Sequence, residues 1–567
     1  MLNTKYKTGS SLESFFKRSG CFPGFKDGWR AKDRIRSIAG DLSESGCTPE
    51  SLSVNFEKSI VQNERKKNGQ YYTPKSVVKY ILSQLKIRSD STILDPSCGC
   101  GSFLLTAYDL LGEKHGKSFL RNIYGVDLNA RAADITRAGL YLKTGCKEEY
   151  LDVVSHNIQI GNSIVENTRI DKNAFCWKTA FPCIFRSGGF DFVIGNPPYV
   201  TLQKNISFDP TEGIYASVID GPTNAASLMI GKSLELLKAG GILAFLLPRS
   251  VLYVDSYSKL RTYLINNTQI LQVVDLGVKF KDVRGEQVII ILRKRRPSEK
   301  QKVKIIEFSE CDSFLRKRPS LFPQNIFRST NRLLTFEDTN YYGIIEKLSK
   351  TGLSLDTIVD GKIFRGLSIS GSLLKADIED GMAAIRGKNI SKFKINEILL
   401  LESRLLEKQT RNKINRLKTK KVVVQNIFSS ESGVIAAYEN MGLLTVDTVT
   451  NIAVRSDIQG KYILALLNSK LINFYLAYGL FNQSRLTMHL DKSYIGRIPV
   501  IAEPDPKMKR MLIDIIESIS NDGDCLDIKQ KNREIDKIVY GVYGISDDEV
   551  GLIENAMTRL LSRKSAW

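Results

Sequence analysis

The chain has 567 residues, 42% of them hydrophobic and 25% charged, which is enough for about three to five domains and excludes a disordered or fibrous protein. No run approaches the ~18 consecutive apolar residues of a membrane helix, and the first residues lack the apolar region of a secretory signal, so we expect a cytoplasmic protein without a membrane partner. The formal net charge of +21 favours a polyanionic partner, nucleic acid first, over a basic surface that only confers solubility.

Cysteine and histidine are sparse. The 9 cysteines include no CxxC pair at zinc spacing, and the 3 histidines are scattered along the chain. We therefore expect no structural zinc, no catalytic metal and no disulfide framework.

In chain order, residues 1–60 predict a mostly helical segment, and residues 61–296 alternate short β-branched runs with amphipathic helices. This alternation is typical of a doubly wound α/β domain with a mainly parallel sheet. Ser76–Ile87 and Ala225–Leu237 are two of the predicted helices. The predicted strands are Thr92–Asp95, Ile123–Asp127, Ile158–Gly161, Phe190–Gly195, Ile242–Leu247, Leu271–Leu276 and Val288–Leu292.

Beyond residue 296 the alternation stops. Residues 297–340 are polar with several prolines and predict a connector; 341–504 predict a less regular α+β domain, and 505–567 a charged helical segment. Within the α+β domain, the stretch from Arg386 to Lys421 holds twelve basic residues against three acidic ones. We interpret it as a candidate nucleic-acid surface that includes Arg386, Lys388, Lys392 and Lys394, with a solvated charged face as the alternative.

The first motif with chemical content, Asp95-Pro-Ser-Cys-Gly-Cys-Gly101-Ser-Phe103, directly follows the first predicted strand. Ligands of doubly wound sheets bind at the carboxyl ends of strands, and Gly99 and Gly101 let the backbone approach such a ligand closely. The third glycine of a dinucleotide fingerprint is replaced by Leu104, which disfavours a nicotinamide cofactor. Asp95 is suited to an ammonium group, which S-adenosylmethionine carries.

Polar residues also end the next two predicted strands. Asp127 is placed to accept hydrogen bonds from ribose hydroxyls, with a helix cap as the alternative, although Asn129 suits that role better. Asn162 follows the third strand and is a candidate for contact with an adenine edge.

The most specific motif is Asn196-Pro197-Pro198-Tyr199, which follows the fourth predicted strand. The two prolines make the backbone rigid and extended and remove two N–H donors. The Asn196 side-chain oxygen and the Pro197 carbonyl can then both accept from a planar amino group, while Tyr199 offers a flat face to its ring. These acceptors withdraw the nitrogen lone pair from conjugation and make the nitrogen nucleophilic toward a methyl donor.

Taken together, these motifs resemble those of the gamma class of amino-methylating DNA methyltransferases, the TaqI-like adenine methylases of restriction-modification systems. The resemblance covers about residues 60–300. It implies a Rossmann-like methyltransferase sheet followed by an α+β DNA-recognition domain, with S-adenosylmethionine as cofactor and double-stranded DNA as partner.

The resemblance also implies residue roles. Thr73, in Gly69-Gln-Tyr-Tyr-Thr-Pro74, would touch the methionine end of the cofactor, and Phe280 would stack on the extruded target base opposite Tyr199. Residues implied to bind the cofactor are Tyr72, Thr73, Asp95, Pro96, Gly99, Gly101, Phe103, Asp127 and Asn162.

Several alternatives stay open at this point. The same NPPY site serves RNA and protein-glutamine methyltransferases, and DNA cytosine-N4 methylation is chemically close. A modification subunit with a separate specificity subunit and a catalytically inactive nucleic-acid-binding protein are further alternatives. Residues 1–60 show no acidic cluster with a nearby lysine, so we expect no cleavage activity and a cognate restriction endonuclease, if one exists, that is encoded separately.

Overall fold

A computed structural model gives the structure of the chain, which divides into two compact units, Met1–Leu333 and Leu334–Trp567. The structure describes residues 31–45, 48–49, 51, 73–200, 213–219, 224–277, 285–307, 319–336, 338–407, 409–429, 431–484, 486–522 and 525–562. Of the segment predicted as helical over 1–60, the described part is mainly one helix, Ala31–Ser45.

The first unit is built on a nine-stranded sheet in the order β3-β2-β1-β4-β5-β7-β6-β8-β9. All seven strands predicted from the sequence lie in it. The strands are β1 (Ile93–Asp95), β2 (Ile123–Asp127), β3 (Ile158–Ile160), β4 (Phe190–Gly195), β5 (Leu237–Pro248), β6 (Gln269–Gly277), β7 (Gln287–Arg293), β8 (Lys302–Glu307) and β9 (Ser320–Pro323).

Strands β1 to β5 run parallel, and β7 is inserted antiparallel between β5 and β6. The chain crosses from β3 at one side of β1 back to β4 at its other side. The predicted doubly wound α/β fold is therefore confirmed, and its topological switch point lies between β1 and β4, where such folds bind ligands.

The polar segment predicted as a connector over 297–340 instead carries two strands of this sheet. Strand β8 pairs parallel with β6, and β9 pairs antiparallel with β8, which moves the end of the first unit from the predicted 296 to Leu333. In β8, Val303 and Ile305 point inward between exposed Lys302 and Lys304, so the strand has the alternation of a half-buried sheet edge. The neighbouring basic residues and prolines concealed that short period.

Helices cover the sheet and fill the core with their apolar sides. Asn129 caps the helix that follows β2 by accepting from the amides of Arg131 and Ala132, and Ala225–Leu236 matches the predicted helix before β5. The α-helices described in the first unit are α1 (Ala31–Ser45), α2 (Lys75–Ser83), α3 (Ser102–His115), α4 (Ala130–Lys143), α5 (Leu151–Asn157), α6 (Trp177–Ala180), α7 (Pro182–Arg186), α8 (Tyr215–Val218), α9 (Ala225–Leu236), α10 (Ser258–Asn267) and α11 (Phe327–Thr330).

The second unit is α+β, with small sheets in the orders β11-β17-β14-β15, β13-β12-β16 and β10-β18. Its strands are β10 (Leu353–Ser354), β11 (Ile363–Arg365), β12 (Gly381–Ile385), β13 (Leu399–Glu402), β14 (Lys421–Gln425), β15 (Ala436–Glu439), β16 (Leu444–Thr445), β17 (Val449–Ala453) and β18 (Pro499–Val500). Its described α-helices are α12 (Asn340–Thr351), α13 (Leu355–Ile358), α14 (Arg411–Leu417), α15 (Asp457–Asn468), α16 (Lys470–Phe474), α17 (Lys492–Ile495), α18 (Pro506–Asp522), α19 (Cys525–Val542) and α20 (Asp547–Ser562).

The segment predicted as helical over 505–567 contains α18, α19 and α20, which pack within the second unit. The Tyr478 hydroxyl donates to the carbonyl of Ala556 at 3.0 Å, and Lys470 and Glu554 form an ion pair. Among the described helices, none is by itself long and apolar enough to cross a membrane; α15 and Lys470–Leu480 meet that length and composition only as a pair bent by 57°.

Candidate active site

The loop after β1 is shaped by glycines in the left-handed backbone region. Gly101 has a φ of 85°, and a Cβ there would lie 2.9 Å from Thr136 Oγ1, so no larger residue fits without a shift. Gly99 has a φ of 52° and open space where a Cβ would point. The loop therefore leaves room for a ligand beside Gly99 while Gly101 packs against α4. Of the other loop residues with predicted roles, Pro96 is buried and Phe103 lies in the core.

Asp95 ends β1 with its side chain only 2% exposed. One carboxylate oxygen accepts from the Ser97 amide at 3.0 Å, and a Cβ on Gly195 at the end of β4 would lie 2.7 Å from it. Burial raises the pKa of Asp95 to about 8, against the lowering effect of the Ser97 hydrogen bond, and nearby Asp127 raises it further. Among the described residues, no cation lies within ion-pair distance of this carboxylate, so a positively charged ligand group would find an unpaired partner at the switch point.

Asp127 ends β2, which is separated from β4 by β1 in the sheet. Its carboxylate accepts from the amides of Gly99 and Asn129, each at 2.8 Å. Burial raises the pKa of Asp127, and these two hydrogen bonds oppose the rise. Because Asn129 caps α4, the helix-cap alternative for Asp127 is excluded, and the remaining lone pairs of the carboxylate are available to hydroxyl donors.

The end of β4 brings Asn196 and Tyr199 together with Thr73. Asn196 Nδ2 donates to Thr73 Oγ1 at 3.0 Å, and Asn196 Oδ1 accepts from the Tyr199 hydroxyl, which also lies 2.9 Å from the carbonyl oxygen of Leu246 on β5. With the amide nitrogen at Thr73 Oγ1, the amide oxygen lies beside the Tyr199 hydroxyl and is the acceptor of the pair. An amide oxygen carries two lone pairs, so it can accept from more than one donor. Pro197 is buried, and Pro198 is half-buried.

Asn162, predicted to contact an adenine edge, uses its amide within the loop after β3. Its nitrogen donates to Asp171 at 2.6 Å, and its oxygen accepts from the Ile164 amide at 3.1 Å. The next residue, Ser163, donates from its hydroxyl to the carbonyl of Pro96 at 2.5 Å and joins this loop to the loop after β1. The geometry thus gives Asn162 a loop-shaping role, and its contact with a ligand stays a prediction.

Two of the predicted site residues, Tyr72 and Phe280, lie outside the described residues, so their roles also stay predictions. The described part of the chain contains no group of three or more His, Cys, Asp and Glu side chains that could hold a metal ion.

Two features of the carboxyl edge of the sheet were not predicted from the sequence. Leu128, directly after Asp127, is 59% exposed, and Ile160 at the end of β3 is also exposed, so two apolar side chains stand beside the carboxylate. Exposed apolar side chains at a concave polar site suit the face of an aromatic ring. An apolar residue directly after the acidic strand end was the available signal.

The second missed feature is a buried charge cluster at the carboxyl ends of β5 and β6. Arg249 donates to Asp275 at 2.6 Å and lies 3.7 Å from Glu286, while Asp275 accepts from the Gly277 amide at 3.0 Å. Burial acts to lower the pKa of Arg249, but the two carboxylates outweigh it and hold that pKa raised. Through Asp275, the cluster joins Gly277, the last residue of β6, to Arg249, the residue that follows β5. The segment that contains Phe280 begins directly after Gly277.

In the second unit, the basic stretch predicted to bind nucleic acid does not form one continuous charged face. Lys421 is fully buried in an ion pair with Glu439, and Lys420 pairs with Asp457. Of the four residues singled out, Lys388 is exposed, Arg386 donates to the Gly371 carbonyl at 2.9 Å, and Lys392 and Lys394 are half-buried.

Lys392 has a further constraint that a surface phosphate contact would not require. Burial lowers its pKa, Asp536 in α19 raises it, and Lys470 lowers it. Its ammonium group is therefore held among charges of the second unit, and its predicted contact with DNA stays a prediction.

The residues at the switch point fit S-adenosylmethionine on their own chemistry. Asp95 is a buried carboxylate that has no cation partner among the described residues and is suited to an ammonium group. Gly99 leaves open space, and Asp127 can accept from ribose hydroxyls. The fold and this donor set are those of the Rossmann-like methyltransferases.

Comparison with known proteins agrees with this class. Residues 56–354 match the N-6 DNA Methylase family, and residues 382–500 match the TaqI-like C-terminal specificity domain. The chain belongs to the N-6 DNA methylase family, whose members use S-adenosylmethionine as methyl donor.

Curated relatives include the Type II methyltransferase M.VspI of Vibrio sp. (strain 343), 26% identical over 51% of this chain and 63% of that protein. The methylase subunit of the Type I restriction enzyme MjaVII of Methanocaldococcus jannaschii is 26% identical over 50% of this chain and 47% of its own. The Type II methyltransferase M.CvrRI of Paramecium bursaria Chlorella virus XZ-6E is 25% identical over 44% of this chain and 54% of its own. The chain thus spans about half to three fifths of the length of these relatives.

Two solved structures share the fold. The Type IIL restriction-modification enzyme MmeI, solved in complex with DNA, superposes with a TM-score of 0.53 at 14% identity, over 94% of this chain and 81% of that one. The DrdV–DNA complex superposes with a TM-score of 0.51 at 14% identity, over 90% of this chain and 63% of that one. At these identities the likeness extends to the fold alone.

Proposed function

We propose that this chain is a site-specific DNA methyltransferase that transfers a methyl group from S-adenosylmethionine to the N6 amino group of adenine in duplex DNA. The observation that carries the proposal is the position of Asn196. It follows β4 at the switch point, one residue beyond Gly195, where an added Cβ would lie 2.7 Å from Asp95, and its amide nitrogen donates to Thr73. This proximity along β4 supports the assignment of Asn196 as the acceptor for an amino group and of Asp95 as the carboxylate for a charged cofactor.

Base extrusion is part of the proposal because of where the acceptors lie. Asn196 is half-buried and Pro197 is buried at the edge of the sheet, where an adenine within a duplex could not reach them. Swinging a base out of the stack costs a few kcal/mol, which contacts with the phosphate backbone can offset. Tyr199 and Phe280 would then hold the two faces of the base.

The chemistry assigned to this chain is positioning and charge stabilisation. When bound, S-adenosylmethionine supplies an electrophilic methyl group. Asn196 Oδ1 and the Pro197 carbonyl accept the two hydrogens of the adenine amine and direct its lone pair outward. The Tyr199 hydroxyl, which contacts both Asn196 Oδ1 and Leu246, holds the amide oxygen in place. No strong base is required, because the proton can leave to solvent after methyl transfer.

The biological role that follows from the proposed reaction is protection of recognition sites in a restriction-modification system. A cognate restriction endonuclease would be a separately encoded partner. Transfer to cytosine N4, to RNA or to a protein glutamine are the competing outcomes of the test below.

The test is to incubate the chain with S-adenosylmethionine carrying a labelled methyl group and with unmethylated genomic DNA, RNA or a protein extract in separate reactions. The DNA is then digested to nucleosides and the labelled nucleoside identified. We expect N6-methyldeoxyadenosine from DNA, and a loss of about 10²–10³-fold in rate for Asn196→Ala, since one aligned acceptor is removed.

Asn122→Ala is the matched control. Asn122 directly precedes β2 at the opposite edge of the sheet, and its amide donates to Ser89 at 2.8 Å, so transfer should be unchanged. Label in cytosine would contradict the adenine assignment, and label only in RNA or protein would contradict the DNA substrate. Unimpaired transfer by Asn196→Ala would contradict the site.

A further inference from the structure

The second unit contains an open cavity of about 510 Å³ whose lining is mainly polar. Side chains around it come from the end of β11, the loop that follows β11 and the loop between β16 and β17. They are Arg365, Ser368, Ile369, Ser370, Asp447 and Thr448, with the backbone of Gly371.

Two residues of the basic stretch contact residues that line this cavity. The Arg386 guanidinium donates to the Gly371 carbonyl at 2.9 Å, and its stem packs so closely that a Cβ on Gly371 would lie 3.2 Å from Arg386 Cδ. The neighbouring Gly387 amide donates to Thr448 Oγ1 at 2.9 Å. The turn that carries exposed Lys388 is thereby fixed at the rim, where a positive charge suits a phosphate.

Arg365 is held in a single orientation beside the cavity. Its Nε donates to the backbone carbonyl of Asp447 at 2.7 Å. The Asn426 amide, oriented so that its nitrogen donates to Leu490 at 3.0 Å, accepts from Arg365 Nη2 at 2.7 Å. No described residue accepts from Arg365 Nη1. The planar guanidinium is therefore held in place through Nε and Nη2 and presents its Nη1 side to the cavity. An arginine held in this way matches the O6 and N7 acceptors of guanine.

Asp447 faces the same cavity with a half-buried carboxylate that has no hydrogen-bond or ion-pair partner among the described residues. In a chain with a net charge of +21, a carboxylate on a DNA-facing surface is repelled by phosphate and is favourable only opposite a base amino group. The backbone contact with Arg365 puts that carboxylate beside a guanidinium suited to guanine, so the amino group that fits is that of the paired cytosine.

We propose that Arg365 and Asp447 together read one G·C base pair of the recognition sequence, Arg365 contacting guanine and Asp447 accepting from the cytosine 4-amino group. This inference rests on the proposed function insofar as the chain must bind duplex DNA, but it does not depend on which base is methylated. Residues 382–500, which match the specificity domain, contain Asp447 but not Arg365, so the reading site extends beyond that match.

The test is to select bound duplexes from a randomised pool with the wild-type chain, Asp447→Asn and Arg365→Lys at one fixed salt concentration, and to sequence them. We expect a wild-type motif with a G·C pair whose preference falls about 10–100-fold in both variants at the same position, as expected when one base contact is lost. Asp447→Asn should shift that position toward A·T, because an amide pairs with adenine.

Asp360→Asn is the matched control, an exposed acid of the same unit that pairs with Arg455, and it should leave the motif unchanged. If Arg365→Lys lowers the Tm, a changed motif in that variant could reflect a folding defect, and the result for Asp447→Asn alone tests the proposal. An unchanged motif in Asp447→Asn, altered preference at two different positions, or a wild-type chain without sequence preference would each overturn the proposal. Selective binding without methylation of adenine would contradict the proposed function alone.

Discussion

Lys421 and Glu439 in the second unit, and Asp95 and Asp127 in the first, are all buried ionisable groups, but their surroundings differ. Lys421 and Glu439 pair with each other with side chains 0% exposed. Lys421 also donates to the carbonyls of Leu417 and Leu443, while Glu439 accepts from the amides of Met441 and Leu443. Burial lowers the pKa of Lys421, and Glu439 opposes this. The protein itself supplies every partner.

Asp95 and Asp127, at the carboxyl edge of the first unit, have only backbone amides as donors among the described residues. Asp95 accepts from one amide and Asp127 from two, and no described cation neutralises Asp95. Burial of a charged group without a counter-ion costs free energy. The satisfied pair therefore serves the fold, whereas we propose that Asp95 and Asp127, whose pKa values burial raises, receive the ammonium and hydroxyl groups of a ligand.

The largest effect should come from breaking the satisfied pair. Lys421→Met leaves the Glu439 charge buried without its partner, so we expect the free energy of unfolding to fall by about 3–5 kcal/mol. In Lys421→Met/Glu439→Gln the uncharged amide oxygen can still accept from the two backbone amides, so most of that loss should be recovered. Chemical denaturation of the wild type and both variants measures this. Equal losses in the single and double variants would show that the pair is not a unit.

The next effect is the pH dependence of cofactor affinity. With its pKa raised from 3.8 to about 8, Asp95 is protonated in the free protein near neutral pH, and the stability this proton adds is full below pH 3.8 and lost as the pH rises through about 8. Pairing with an ammonium group requires the carboxylate. Affinity for S-adenosylmethionine should therefore rise up to about 10-fold per pH unit from about pH 6 to about 7.5, before the amino group of the ligand titrates.

Calorimetric titrations across this range, on the wild type and on Asp95→Asn, test the assignment. The variant should show a shallower profile, with any remaining slope due to Asp127, whose pKa burial also raises. Identical slopes in both proteins would remove Asp95 from the cofactor site.

The smallest effect concerns Gln287, which begins β7 opposite Pro248 and Gly277. Its side chain is buried, and neither its amide nitrogen nor its amide oxygen has a hydrogen-bond partner among the described residues. Replacing such an amide by an apolar group of similar shape removes a desolvation cost, so Gln287→Met should raise the free energy of unfolding by about 1 kcal/mol. Denaturation of the two proteins without ligand is the measurement. A less stable variant would contradict this and would show that the Gln287 amide contributes hydrogen bonds to the fold.

The strands and the strand-end motifs were predictable because their signals are local. A strand such as Val288–Leu292 is a continuous apolar run, and Asp95, Asp127 and Asn196 each directly follow a run of that kind. The doubly wound order places such strand ends at one edge of the sheet, so most of the candidate site could be assembled from the sequence.

What escaped prediction depends on contacts between distant residues. Lys421 looks like one more basic residue of an exposed stretch, and only the pairing of β14 with β15 buries it against Glu439. Arg249 and Asp275 are 26 residues apart in the sequence, and their pairing connects the end of β5 to β6. Strand β8 was missed because its outward residues are lysines, which made its local composition resemble a linker.

The most direct test of the account compares two carboxylates at opposite edges of the same sheet. Asp95 lies at the carboxyl end of β1 with no cation partner in the described part of the chain, whereas Asp191 near the amino end of β4 pairs with Lys238 and accepts from Thr92. We would measure S-adenosylmethionine affinity and Tm together for Asp95→Asn and Asp191→Asn. We expect Asp95→Asn to lose about 10²-fold in affinity with an unchanged or higher Tm, and Asp191→Asn to keep its affinity with a lower Tm. Full affinity in Asp95→Asn would contradict it.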